Sequence, residues 1–146
     1  VKFLSSRVMF FDEMANIKNI DISLDIHKEF EINIDKSELE RIIDNTISNA
    51  IKYSFEDSQI DIITDIIDNK YICEIKDFGM GIEDTNSVFN AYYQQKDKNV
   101  GLGLGLNIVK DICDKYDITI EVKSGDLGTS FIYIFPQNLI KKEQNV

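Results

Sequence analysis

The sequence of 146 residues lacks several features that would assign it to common protein classes. The sequence contains only 16 Lys and Arg residues but 26 Asp and Glu residues, so its net charge is −10. This acidic balance argues against nucleic acid or an anionic membrane as the main partner, because both attract basic surfaces. No apolar run approaches the ~18 residues of a membrane span, and no secretory signal is visible. Bound phosphate therefore has to be held by local backbone dipoles or by a metal ion.

Cysteine, proline and linker sequences are also scarce. The two cysteines, Cys73 and Cys113, lie inside apolar patterns, which predicts a buried and reduced pair without a disulfide or metal. One proline precedes a polar stretch, and no repeat or Ser/Gly-rich linker divides the chain. We therefore expect one domain over residues 1–136 and a flexible tail over residues 137–146. Because the sequence opens on Val1 and not on Met, we expect it to be a piece of a longer protein.

Apolar periodicity predicts an α+β domain. Three helices are predicted, over residues 7–18, from a capping box at Ser37 to about Ser54, and from the glycines at 101–105 to about Lys115. The apolar side of the third helix is predicted to consist of Leu106, Ile108, Val109 and Ile112. Strands are predicted over residues 20–26, 30–34, 60–67, 71–77, 118–122 and 130–135. Hairpins in one layer and about three helices in the other make a two-layer α/β sandwich with a mixed, mostly antiparallel sheet.

The second predicted helix carries Asn45, Asn49 and Lys52 on one face, beside its apolar stripe. Amide oxygens can ligate a hard cation such as Mg²⁺, and a lysine ammonium can contact phosphate as a point charge. The alternative is a solvated polar face without a function. This helix alone leaves both interpretations open.

Asp77 ends a predicted inner strand and is followed by Gly79 and Gly81. A carboxylate at a strand end can accept a hydrogen bond from an exocyclic amine such as that of adenine. The glycines would let a flat base approach the backbone. The alternative is a plain turn from strand to loop.

Gly101, Gly103 and Gly105 alternate with leucines at the start of the third predicted helix. Small residues there expose backbone N–H groups to an anion at the positive end of the helix dipole. The spacing is that of neither the dinucleotide-binding fingerprint nor a P-loop. A structural cap with a flexible hinge is the alternative.

Taken in this order, the elements resemble the ATP-binding catalytic domain of bacterial sensor histidine kinases, within the GHKL superfamily. The matching motifs are an N box at Asp44–Ser54, a G1 box at Asp77–Ile82, an F box at Val88–Tyr93, a G2 box at Gly101–Leu106 and a Gly-Thr motif at Gly128–Phe131. The resemblance covers nearly the whole chain, from about Arg7 to Pro136. It implies the Bergerat fold with a mobile ATP lid over residues 84–100.

The resemblance also implies roles for single residues. Asn49 would ligate Mg²⁺, with Asn45 assisting directly or through water, and Lys52 would contact phosphate. Asp77 would read the adenine amine, with support from Thr129. Other nucleotide contacts, including aromatic and backbone ones, are implied at Tyr53, Gly79, Gly81, Ile82, Tyr93, Gly101, Leu102, Gly103, Leu104, Gly105 and Leu106.

Two positions separate the sequence from parts of the superfamily. Hydrolytic members carry a glutamate at the position of Asn45, where it activates water, and an asparagine cannot act as a general base. This favours a kinase, because a neutral imidazole acceptor is itself a nucleophile. Many histidine kinases carry an arginine after the aromatic pair of the F box. Here Lys96 or Lys98 would replace it, as a point charge without bidentate geometry.

The function implied is that of a protein-histidine kinase domain that binds ATP and Mg²⁺ and phosphorylates a histidine on a separate domain. His27 lies between predicted strands without the proline of the acceptor motif, so the dimerisation and phosphoacceptor helices would precede Val1. We expect the domain to be monomeric in isolation, to serve a response regulator indirectly, and to belong to the cytoplasmic part of a membrane-bound sensor. The alternatives are a degenerate nucleotide-binding or partner-docking module and an ATP hydrolase of the same fold.

Overall fold

The structure is a computed structural model that describes residues 2–79, 104–125 and 127–141. The helices in this part of the chain are α1 (Lys2–Phe10), α2 (Asp12–Ile17), α3 (Lys36–Tyr53) and α4 (Leu104–Tyr116). The strands are β1 (Asp21–Ile26), β2 (Gln59–Ile67), β3 (Lys70–Asp77), β4 (Thr119–Gly125) and β5 (Gly128–Phe135). A 3-10 helix follows over Gln137–Leu139.

The five strands form one mixed sheet in the order β1-β2-β3-β5-β4. β1 pairs with β2 in parallel, and the other neighbouring pairs are antiparallel. The β2–β3 hairpin turns at Asp68 and Asn69, whose φ angles of 52° and 63° are those of a turn that matches the twist of the strands. The predicted α+β architecture is thus confirmed.

The hydrophobic core lies between one face of the sheet and the helices. Its largest buried side chains come from α3, β2, β3, β5 and α4, and include Ile42, Ile43, Ile47, Ile51, Ile60, Ile62, Ile75, Val109, Phe131 and Tyr133. Thr46 Oγ1 donates to the carbonyl oxygen of Ile42 at 2.6 Å and lies 2.5 Å from the hydroxyl oxygen of Tyr133. Because the single proton of Thr46 is already used, Tyr133 is the donor of this pair, and both buried hydroxyls are satisfied.

Both cysteines are buried and free, as the sequence predicted. Burial raises the pKa of the Cys73 and Cys113 thiols to about 12, so both stay protonated at neutral pH. In the described part of the chain, no helix has the length and apolar character needed to cross a membrane.

The N-terminal predictions are partly wrong. The single helix predicted over residues 7–18 is two helices, α1 and α2, separated at Phe11, which is buried against the core. The strand predicted over residues 30–34 is absent, and only Ile32 forms an isolated bridge, with Ile140. Phe30, Ile32 and Ile34 do alternate with exposed residues, but this burial comes from packing against the core and not from pairing in the sheet.

Two smaller predictions also need correction. α3 is capped by Asp35 and not by Ser37, because the Asp35 carboxylate accepts hydrogen bonds from the backbone N–H groups of Ser37 and Glu38. Ile108 is 37% exposed and so lies outside the apolar side of α4. Within the expected tail, the 3-10 helix is followed by the Ile32–Ile140 bridge, and the flexibility of the tail stays a prediction.

Candidate functional site

Asp77 is the last residue of β3 and lies beside the first residues of β5, where it pairs in register with Thr129. Its side-chain Oδ1 accepts hydrogen bonds from the backbone N–H of Gly79 at 3.0 Å and of Thr129 at 3.2 Å. Asp77 is only 3% exposed. Among the described residues, its second oxygen, Oδ2, accepts no hydrogen bond. A buried carboxylate is therefore held by one oxygen and leaves the other for a donor.

Burial raises the pKa of Asp77 to about 6, against the lowering effect of the N–H groups of Gly79 and Thr129. The carboxylate thus has two donors but incomplete compensation for its lost hydration. A buried acceptor in this condition is stabilised by a ligand that brings an N–H group. The site is therefore suited to a ligand with an exposed amine.

Two glycines let backbone segments meet at this point. A Cβ atom on Gly79 would overlap the carbonyl oxygen of Tyr53, at the end of α3. A Cβ atom on Gly128, whose φ is +127°, would overlap the carbonyl oxygen of Asp77. The structure thus shows that Gly79 is needed for contact with the end of α3, and its role beside a flat base stays a prediction.

The beginning of α4 contacts α3 through Asn45. A Cβ atom on Gly105 would lie 2.7 Å from Asn45 Oδ1, so only a glycine accommodates this side chain without a shift. Asn45 Nδ2 donates to the carbonyl oxygen of Arg41 at 2.8 Å. That bond orients the amide, and its oxygen faces the start of α4.

One face of α3 connects these contacts. Asn45, Asn49 and Tyr53 follow one another at intervals of four residues, about 6 Å along the helix axis per step. The first contacts the start of α4 through Gly105, and the backbone of the last contacts Gly79. Asn49 is half-buried and lies midway between them. The structure therefore places both amides on the stretch of α3 that runs from α4 to the Asp77 loop.

The other described candidates differ in exposure. Lys52 is exposed, whereas Tyr53 is 8% exposed. Leu106 is 6% exposed and its side chain belongs to the core. Leu104 is the first residue of α4. The remaining predicted site residues, like the lid at 84–100, lie outside the described residues: Gly81, Ile82, Tyr93, Lys96, Gly101, Leu102 and Gly103.

Sequence reasoning missed two polar contacts around the site. Lys18 Nζ donates to the carbonyl oxygens of Ile51 at 2.8 Å and Ser54 at 2.6 Å, so a cation closes the C-terminal end of α3. No local pattern could have revealed this, because the partners are more than thirty residues away. Ser124 Oγ lies 2.8 Å from Thr129 Oγ1, a pairing that follows from the β4–β5 register.

Comparisons with known proteins agree on one family. The family described as histidine kinase-, DNA gyrase B-, and HSP90-like ATPase matches residues 34–139. Histidine kinase P4 of Formosa agariphila is 35% identical over 84% of this chain, which spans 10% of that protein. The sensor histidine kinase YvrG of Bacillus subtilis is 29% identical over 92% of this chain, which spans 24% of that protein.

The fold is also found among solved structures. The mycobacterial sensor histidine kinase MprB aligns with a TM-score of 0.82 at 22% identity, over 92% of this chain and 93% of that one. At this identity the likeness shows the fold alone. The chain spans only a tenth to a quarter of the two curated relatives above.

A double-mutant cycle tests the contact between α3 and α4. Gly105→Ala should destabilise the chain when Asn45 is present, because the new methyl group meets the amide oxygen. In an Asn45→Ala background, the same substitution should be neutral or stabilising by up to about 1 kcal/mol, because alanine favours a helix more than glycine does. Urea unfolding of the four proteins measures the coupling. Equal effects of Gly105→Ala in both backgrounds would show that the two residues do not touch.

The raised pKa of Asp77 predicts a pH-dependent stability difference between the native chain and Asp77→Asn. The folded-state pKa of about 6 exceeds the ordinary value of 3.8, so the folded chain binds a proton more tightly. This stabilisation is present below pH 4 and lost as the pH rises through 6. Relative to the variant, the native chain should therefore lose about 2–3 kcal/mol of unfolding free energy between pH 4 and pH 7.

Urea unfolding of both proteins at several pH values measures this difference. Asp77→Asn is the control for the native chain. Other titrating groups, such as Asp35 and Glu38, are common to both proteins, so their contributions to the unfolding free energy cancel in the difference. A difference that stays constant between pH 4 and pH 7 would show that Asp77 is not a buried, poorly compensated carboxylate.

Proposed function

Because the chain belongs to the family of histidine kinase-, DNA gyrase B- and HSP90-like ATPases, we propose that it binds ATP with Mg²⁺ and phosphorylates a histidine on a separate domain. The chain is an ATPase catalytic domain of the kind found in two-component sensor histidine kinases. The acceptor would lie on the dimerisation and phosphoacceptor helices of the same sensor. The observation that carries the proposal is the buried Asp77 carboxylate, with one oxygen held and the other available to a donor.

Asp77 is proposed to select adenine. The exocyclic amine of adenine would donate to Oδ2, which has no other donor among the described residues. Guanine carries a carbonyl oxygen at the equivalent ring position, and two acceptors facing each other in a buried site are unfavourable. Thr129 supports this role, because its backbone N–H fixes Oδ1 and its hydroxyl lies against Ser124.

The phosphate end of the nucleotide is proposed to lie along α3, towards α4. The N-terminal end of α4 offers backbone N–H groups and the positive end of a helix dipole to an anion. Lys52 is exposed, so its ammonium is available as a further positive charge. These local groups would attract the phosphates although the chain carries a net charge of −10.

The donor set of α3 fits Mg²⁺. The amide nitrogen of Asn45 is committed to the Arg41 carbonyl, which leaves its oxygen as the atom for a cation or its water. Asn49 lies one turn further along the same face and is half-buried. Mg²⁺ prefers oxygen ligands and keeps several waters, so two amides and the phosphates are sufficient. When bound, the ion would neutralise charge on the phosphate oxygens.

Phosphoryl transfer would depend on positioning. A neutral nitrogen of the acceptor imidazole would attack the γ-phosphorus, the bond from the γ-phosphorus to the bridging oxygen would break, and ADP would leave. Asn45 cannot act as a general base, so it would not activate water in competition with the histidine. Asp77 and α4 would hold the two ends of ATP and fix the direction of the γ-phosphoryl group.

Other assignments are proposed on the family resemblance. They are the nucleotide contacts of Gly81, Ile82, Tyr93, Gly101, Leu102 and Gly103, the charge of Lys96 near the γ-phosphate, and the lid at 84–100. We also propose that the domain belongs to the cytoplasmic part of a membrane-bound sensor that serves a response regulator. The family resemblance motivates that proposal, and so does the name of YvrG, a sensor histidine kinase of which this chain spans 24%.

Asn49→Ala should weaken Mg²⁺-dependent binding without weakening the fold. The affinity for ATP in Mg²⁺ should fall at least tenfold, while the affinity in EDTA should not change, because the variant removes a metal ligand and no phosphate contact. Alanine is the better helix former, so thermal stability should not decrease. Calorimetric titration measures both affinities, with Ser48→Ala, the half-buried neighbour on α3, as control. An equal loss with and without Mg²⁺ would contradict a metal-binding role.

Transfer to histidine is tested by mixing the chain with the acceptor helices of its own sensor and γ-labelled ATP. Label should appear on the acceptor in an acid-labile, base-stable form, and Asn49→Ala should lower its rate at least tenfold. Bound ATP without labelled acceptor would favour a nucleotide-binding module. Steady release of phosphate by the chain alone, at a rate unaffected by the acceptor, would favour an ATP hydrolase.

A further inference from the structure

A second concave site lies away from the proposed nucleotide site. It is a cavity of about 570 Å³ beneath the N-terminal half of α3. Leu39 and Ile43 of α3 form one wall, Phe30 forms a second, and Cys73 of β3 and Phe135 of β5 contribute from the sheet. A cavity of this volume with mainly apolar walls falls in the range of sites for small organic ligands.

The cavity and the proposed nucleotide site are separated along β3 and lie on different faces of α3. Along β3, Cys73 and Asp77 are four residues or about 14 Å apart. On α3, Ile43 is buried against the core, whereas Asn45, two residues later, lies on the other side of the helix and faces the start of α4. No described candidate of the nucleotide site lines the cavity. A ligand in it would therefore not displace ATP.

One wall of the cavity is held by few backbone contacts. The backbone N–H of Asn33 donates to the carbonyl oxygen of Leu139 at 2.6 Å, and that of Lys141 donates to Glu31 at 2.9 Å. These two bonds make up the antiparallel bridge between Ile32 and Ile140 and attach residues 30–34 to the segment after β5. A wall held in this way can adjust to a ligand without disturbing the sheet.

Apart from Thr64 and Cys73, the buried side chains of the lining are apolar or aromatic. The ring of Phe30 lies edge-to-face with Tyr71 at 5.3 Å and tilted against Phe135 at 6.1 Å. The hydroxyl of Thr64 already donates to the carbonyl oxygen of Lys28 at 2.9 Å. The thiol of Cys73 is protonated, because burial raises its pKa to about 12. A charged ligand group would lose its hydration here without gaining a partner.

The charged residues of the lining are exposed and lie at the mouth. In the part of the chain that the structure describes, they comprise two cations and two anions, Lys2, Lys36, Glu29 and Glu31. Their charges cancel, so the mouth attracts neither a cation nor an anion from a distance. Binding in the cavity would therefore depend on the burial of apolar ligand surface against aromatic rings.

We propose that this cavity binds one uncharged, ring-containing apolar molecule. The ligand would pack against Phe30 and Phe135 and join the N-terminal half of α3 to the wall at residues 30–34. Its binding would be independent of ATP and of the function proposed above. Because only the folded chain has the cavity, the ligand would also raise the melting temperature.

The test uses N-phenyl-1-naphthylamine, an uncharged two-ring fluorophore, with the whole 146-residue chain. We expect a saturable fluorescence increase at one site per chain, with at least tenfold weaker binding of its anionic sulfonate, 1-anilinonaphthalene-8-sulfonate. Ile34→Trp fills the half-buried lining and should weaken binding at least tenfold. Ile17→Trp adds the same bulk at an 85% exposed position and should leave binding unchanged.

A measurement on the native chain keeps the proposal testable if Ile34→Trp does not fold. In methyl-labelled chain, the fluorophore should shift the resonances of Ile26 and Ile43, which line the cavity, and not that of Ile60, which lies beside the end of β3. Shifts at Ile60 alone, or at none of the three, would overturn the proposal. Equal binding by the native chain and a folded Ile34→Trp variant would overturn it as well.

Discussion

The burial of the Asp77 carboxylate is the constraint on which the proposed site depends. A carboxylate at 3% exposure is tolerated because backbone N–H groups from two segments point at one of its oxygens. Those segments can approach only because Gly79 and Gly128 lack side chains that would collide with backbone carbonyls. The same contacts press the end of α3 against the end of β3. The loop around Asp77 therefore provides both the carboxylate oxygen proposed to accept a hydrogen bond from the ligand and the contact with the end of α3.

α3 contributes to both of the proposed sites. Its C-terminal half carries Asn45 and Asn49 between the start of α4 and the Asp77 loop, where phosphates and a hard cation are proposed to bind. Its N-terminal half covers an apolar cavity between β3, β5 and residues 30–34. The core isoleucines of α3 pack against the sheet. A nucleotide and an apolar ligand would thus contact α3 on different faces.

Hydrophobic periodicity predicted helices and strands correctly where one face of the segment is buried along its whole length. The alternation of β2 and β3 and the apolar stripe of α3 predicted those elements almost to their ends, because one face of each is buried throughout. The alternation at residues 30–34 misled, because side chains that line a cavity show the same period as a strand. Asp35 and Ser37 are both capping residues, and the sequence could not say at which one the chain turns into the helix.

The sequence by itself determined the family, the order of the motifs and the residue types offered to a nucleotide, because these depend on short-range spacing and on side-chain chemistry. Only the tertiary structure decided that Gly79 serves contact with α3, that Gly105 faces Asn45, and that Lys18 closes the end of α3. It also decided that a cavity remains under α3. These features arise where segments distant in the chain meet, and no local periodicity encodes which segments those are.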